Sequence, residues 1–149
     1  MTNAYAPGRS TAAGGAPARA LAARWAPWLH ALLRIGAGLL YMEHGLQKLF
    51  GMFGGMGPSG GTVPLVSLMG LAGVLESGGG LLLVLGLFTR PVAAVLVLEM
   101  LYAFATVHLP QGGAPIQNHG ELPLLYALIW AFLAGNGAGP ASLDSRRAG

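Results

Sequence analysis

Seven ionisable side chains lie inside or at the ends of long apolar runs: Arg34, Glu43, His44, Lys48, Glu76, Glu99 and Glu121. A charge near the middle of a bilayer costs about 2.5–3.5 kcal/mol on insertion scales. Side chains that carry this cost serve either a site or the register of the helices that hold them. Intramembrane carboxylates suit proton movement, which makes Glu76 and Glu99 the candidate proton carriers. His44 and Lys48, one helical turn apart, suit hydrogen-bond donation to a carbonyl ligand. Arg34 offers a planar fork that matches one or two carboxylates.

Helical geometry sorts these residues. At a rise of ~1.5 Å per residue, Arg34 lies roughly 10 Å in from one end of its run and Glu99 roughly 12 Å in from the same side. Glu76 reaches a similar level, which predicts an ion network of Arg34, Glu76 and Glu99. At about 100° per residue, Tyr41, His44 and Lys48 fall within roughly 80° of Arg34, while Glu43 points the other way with Gln47 about 40° from it. Tyr102, Ala103 and Thr106 share the Glu99 face, and Gly73 and Gly80 lie on the Glu76 side, where small residues admit a neighbouring backbone. The predicted ligand-binding set is therefore His44, Lys48, Tyr41, Tyr102 and Glu121, with His108 and His119 able to close the outer end. A plainer reading stands beside it. Buried Arg–Glu pairs can simply fix helix register, Glu121 at a helix start is favourable through the macrodipole alone, and loop histidines are commonly solvated.

The elements that must position these side chains are membrane spans. Of the 149 residues, 54% are hydrophobic and 9% charged, against about 25% charged in a soluble domain; the mean hydropathy is +0.60. Four apolar runs, about 27–50, 64–87, 91–109 and 121–135, approach the ~20 residues that cross ~30 Å of hydrocarbon. Prolines at 27, 64, 91 and 123 fall at or near their starts, where a missing N–H costs little. The expected fold is all-α, an integral membrane four-helix transmembrane bundle. The expected domains are a disordered basic leader over 1–24, a membrane domain over 25–138 and a cytoplasmic tail over 139–149. Thr89-Arg90-Pro91 reads as a tight turn. The leader with the run after it reads as a signal-anchor, not a cleaved signal peptide. Arg9, Arg19, Arg24, Arg90, Arg146 and Arg147 fall on one side of the four runs, so the positive-inside rule predicts both termini in the cytoplasm.

Composition also excludes. With no cysteine, there is no thiol relay, cysteine-ligated cofactor or c-type haem attachment within the chain. No basic run with interleaved aromatics supports nucleic-acid binding. Neither glycine cluster, Gly78-Gly79-Gly80 or Gly112-Gly113, is followed by the Lys-Ser/Thr of a phosphate loop. No metal site is expected, since no H-x-x-x-H or E-x-x-H spacing occurs.

Several blocks together carry a resemblance. Leu33-Arg34-Ile35 followed by His44-Gly45-Leu46-Gln47-Lys48-Leu49-Phe50-Gly51 is similar to the opening of DoxX family proteins. So are Leu75-Glu76 with Gly79-Gly80, Leu85-Gly86-Leu87-Phe88-Thr89-Arg90-Pro91, Glu99-Met100, His108-Leu109-Pro110 and Asn118-His119-Gly120-Glu121-Leu122. His119 departs from the pattern, which often has a small residue before Gly-Glu. The resemblance implies a four-helix, multi-pass protein of the bacterial inner membrane linked to sulfur or oxidative-stress redox metabolism. The related DoxD type is a subunit of a thiosulfate:quinone oxidoreductase.

The leading expectation is a membrane subunit of a redox system that binds a quinone, working with partner oxidoreductase subunits or as a homo-oligomer in the lipid bilayer. One rival is a non-catalytic scaffold or anchor, in which the charges are structural. The other is a small proton-coupled transporter, for which four spans are few and no inverted repeat is evident.

Overall fold

The computed structural model describes residues 16–147, which are helical and connected by loops. The elements are α1 (Ala16–Phe50), α2 (Leu68–Leu85), α3 (Thr89–Gln111), α4 (Glu121–Asn136) and a short α5 (Leu143–Arg147). By length and composition, α2 and α3 are each able to cross a membrane; α4 is apolar and shorter. Among the described residues there is no strand beyond an isolated bridge between Met56 and Gly61.

Two expected boundaries move. Residues 16–24, read as part of a disordered leader, belong to α1; the first fifteen lie outside the described residues. The stretch is rich in alanine, the strongest helix former, and Pro17 sits in the first turn, where its missing N–H is harmless. Pro27 is therefore inside the helix, not at its start. Thr89-Arg90-Pro91 is not a turn but the first turn of α3. The reversal falls just before it, at Gly86 and Phe88, both in the left-handed region with φ of 64° and 52°. At the start of α2, the Ser67 hydroxyl accepts the Gly70 N–H at 2.9 Å and donates to the Pro64 carbonyl, the usual economy of a serine cap.

The helices α1 and α2 pack backbone against backbone. A Cβ placed on Gly80 would stand 2.8 Å from the Gly38 carbonyl oxygen, and one on Gly45 would collide with Ser77. Gly38 and Gly45 on α1, and Gly73 and Gly80 on α2, recur at a spacing that keeps them on one seam. The α3–α4 contact is made instead by side chains: Ala93, Leu96 and Met100 against Tyr126, Ala127, Trp130 and Leu133, with Tyr41 and Leu83 completing the core.

Two helices carry a π-helical turn, Leu75–Gly79 in α2 and Phe104–His108 in α3. In α2 it coincides with Ser77-Gly78-Gly79-Gly80, where few side chains resist the wider turn. Such turns cluster at functional sites, and this one contains Glu76.

Polarity is distributed inside out. Arg34 is 0% exposed and Glu76 5%, whereas Leu98 is 69% and Leu128 70% exposed. Water is a poor solvent for such a surface and a bilayer a good one.

One end of the molecule is tied together by side chains that cap helix termini. Arg34 donates from Nε to the Ala138 carbonyl (2.8 Å), from Nη1 to those of Leu83 (2.5 Å) and Val84 (2.8 Å), and from Nη2 to those of Pro140 (3.4 Å) and Ala141 (2.8 Å). It thus bonds carbonyls of the last turn of α2, where helical partners run out, and holds the returning tail. Arg90 donates to the Gly135 carbonyl at the end of α4. Asp144 accepts the N–H groups of Phe88 and Thr89, each at 2.8 Å, and caps α3. Burial alone would raise the Asp144 carboxyl; the two N–H bonds, helped by Arg147, outweigh it and hold the group below the usual carboxylate range. The segment from Gly139 to Asp144, expected to belong to a separate tail, is therefore packed onto the helical body.

Candidate functional site

A cavity of about 670 Å³ opens at the other end, the end that carries the loops after α1 and α3. Its polar floor comes from α1 (Tyr41, His44, Lys48), α2 (Glu76) and α3 (Glu99). Its walls are apolar and include Leu71 of α2 and Val95 and Leu98 of α3. All three wall residues are exposed, so the cavity is open along its α2 and α3 walls.

On the floor, Lys48 Nζ donates to both oxygens of Glu76, at 2.8 and 2.6 Å. The pair is nearly dry, with side-chain exposures of 12% and 7%. The Tyr41 hydroxyl donates to Glu99 Oε2 at 2.9 Å, while Glu99 Oε1 is buried without a partner. The Tyr41 ring is held by Tyr126 (4.9 Å between centroids) and Trp130 (5.1 Å), which stack on each other at 5.5 Å. His44 meets Tyr126 edge-on at 6.1 Å. At the mouth, His108 Nδ1 lies 2.9 Å from the Asn118 carbonyl. Asn118 is itself fixed by bonds to the Gly112 carbonyl and the Gly120 N–H. His119 has a left-handed backbone, φ 56°.

The structure brings together Tyr41, His44, Lys48, Glu76, Glu99 and Tyr102 of the predicted site, with His108 and His119 at its rim. Two predictions are corrected. The Arg34–Glu76–Glu99 ion network does not form: every bond of Arg34 goes to a main-chain carbonyl, Glu76 takes Lys48 and Glu99 takes Tyr41. Matching depth on separate helices was not enough, because the end of α2 and the returning tail reach the guanidinium first. Glu121 is exposed and does not line the cavity, whereas its neighbours Leu122 and Pro123 do. Glu43 is exposed and points away from the site. Sequence reasoning missed Tyr126 and Trp130 as supports for Tyr41. Their i, i+4 spacing put them on one face of α4, but nothing in the sequence said which helix that face would meet.

The model of the DoxX family matches residues 29–109. The chain belongs to the DoxX family. It is 39% identical over 130 residues to an uncharacterized protein of Haemophilus influenzae, covering 83% of this chain and 93% of that one. It is 34% identical over 114 residues to a Bacillus subtilis protein named "Putative oxidoreductase CatD", covering 76% of this chain and 82% of that one. No solved structure matches the chain. This DoxX protein is a membrane protein, in keeping with its apolar exterior and its buried ionic floor.

Proposed function

We propose that this DoxX protein is a four-span bundle of the bacterial inner membrane and serves as a redox subunit that binds a quinone-class, lipid-soluble ligand in the cavity between α1, α2 and α3. The observation that carries this reading is the cavity itself: apolar walls, open along two membrane-compatible helices, above a floor of Tyr41, His44, Lys48, Glu76 and Glu99. A quinone needs an apolar slot, hydrogen-bonding groups at its oxygens and carboxylates nearby to move protons. The residues present fit that need, with His44 and Tyr102 free to contact the ring oxygens and the cavity carboxyl of Glu99 at hand for protons. When bound, a quinone supplies the two-electron chemistry that the chain lacks. The name of the Bacillus relative supports a redox setting. Arg19, Arg24, Arg90, Arg146 and Arg147 belong to the capped end or to the first turns of α1, which supports a cytoplasmic placement of that end. A partner oxidoreductase or a second copy completes electron transfer.

The test is gentle purification followed by mass spectrometry of the extracted lipids, with titration of a short-chain naphthoquinone against the fluorescence of Trp130 in a Trp25→Phe/Trp28→Phe background. Co-purified quinone and saturable quenching are expected, weakened at least tenfold by Leu98→Phe, which narrows the opening. Absence of both would sink the reading.

A second reading, a membrane anchor for partner proteins, is favoured by one feature. Leu21, Trp25, Trp28 and Leu32 form an exposed stripe along the first turns of α1, at the i, i+4, i+7, i+11 spacing of one helix face. Loss of a stoichiometric partner from Trp25→Ala/Trp28→Ala protein, with quinone binding absent throughout, would bring it forward.

A further inference from the structure

Glu76 and Glu99 face the same cavity from neighbouring helices, yet only one of them has its charge answered. Both oxygens of Glu76 accept from Lys48. Glu99 has one hydrogen bond, from the Tyr41 hydroxyl to Oε2, and its Oε1 is buried without a donor. Among the described residues the Lys48–Glu76 pair is the only ion pair, so no cation stands within contact of Glu99.

An ionised carboxylate in that setting would be far more costly than the neutral acid. The neutral acid needs one donor on its carbonyl oxygen, which Tyr41 supplies. Its other oxygen, Oε1, is buried without a partner, where an unpaired O–H costs far less than a charge. The titratable groups that share the cavity with Glu99 are Tyr41, His44 and Lys48 from α1, Glu76 from α2 and Tyr126 from α4. Tyr102 and His108 lie further along α3 and His119 lies at the rim. Of all these, Lys48 is the one permanent cation, and Glu76 already holds it.

We infer that Glu99 rests as a neutral carboxylic acid and is the group through which the cavity exchanges protons, while Lys48–Glu76 stays a fixed ion pair. The use of that proton rests on the ligand reading above; the protonation itself does not. Tyr41, clamped by Tyr126 and Trp130, is the positioning residue that keeps the carboxyl in place.

Infrared difference spectroscopy of the full chain in lipid nanodiscs, at neutral pH in H2O and in D2O, reads the carbonyl stretch of a protonated carboxyl. A band that shifts in D2O is expected. It should vanish in Glu99→Gln, persist in the double variant Lys48→Met/Glu76→Gln, and move in Tyr41→Phe, which keeps the carboxyl and loses its donor. A band that survives Glu99→Gln, or no band in either the wild type or Tyr41→Phe, overturns the inference. Short-chain naphthoquinone binding is measured on the same samples. The band without binding sinks only the ligand reading, and binding without the band sinks only the assignment of Glu99.

Discussion

Arg34 and Lys48 are both buried cations on α1, and they are satisfied in opposite ways. Arg34 gives its donors to five main-chain carbonyls, from the end of α2 and from the returning tail. Lys48 gives its own to a carboxylate on the floor of an open cavity. Carbonyls do not titrate and are fixed by the path of the chain, so the first cation acts as a clamp. The Glu76 carboxylate faces a volume that a ligand can fill, so the second cation belongs to a ligand site. Burial of a charge therefore does not by itself identify function; the nature of its partners does.

The largest effect should come from breaking the clamp. Arg34→Met removes a donor from five carbonyls, two in buried bonds and three in partly buried ones, at about 1–3 kcal/mol for each buried group left unsatisfied and with partial relief where water enters. A loss of about 5 kcal/mol, or of folded protein altogether, is expected in thermal unfolding of the detergent-solubilised chain. Arg34→Lys should recover only part of it, because an ammonium cannot reach both the α2 terminus and the tail as the planar fork does. Near-native stability of Arg34→Met would erase the contrast between the two cations.

The pair in the cavity should respond differently. Lys48→Met leaves Glu76 buried and alone, at a cost of about 3–5 kcal/mol. Adding Glu76→Gln should restore most of that stability, since the pair is removed together. A double-mutant cycle measures the coupling; simple additivity of the two losses would mean that Lys48 and Glu76 do not act as a unit.

The smallest effect sharpens the picture of the capped end. Asp144→Ala removes the cap of α3 and should cost about 1 kcal/mol. The folded carboxyl titrates below the usual range, so its contribution is fully present above an unfolded value of about 4 and is lost as pH falls through the folded value. Wild-type stability should therefore drop across that acidic window, and the Asp144→Ala profile should be flatter there. Equal slopes for the two proteins would remove Asp144 from the account.

Much of the site was legible in the sequence because an α-helix has a fixed angular step. Tyr41, His44 and Lys48 were assigned to one face of α1, and Glu99 and Tyr102 to one face of α3; the structure brings all five to the cavity. The glycines on the Glu76 side signalled a close neighbour, which is α1. The pairing of the charges was not legible. Which carbonyls meet Arg34 depends on the tail folding back across the end of α2, a contact between residues more than a hundred positions apart. The helical start of α1 was hidden for another reason: an alanine-rich stretch forms a helix without the apolar periodicity that marks one packed on its neighbours.

The sequence alone determined that this protein is helical, that its exterior is apolar and that its few charges lie within those helices, because composition and local periodicity fix these properties residue by residue. The tertiary structure decided which charge clamps and which charge waits. A hydrogen bond is satisfied by whichever partner the packed chain brings within about 3 Å, and helical faces and depths do not specify that partner until the helices have met.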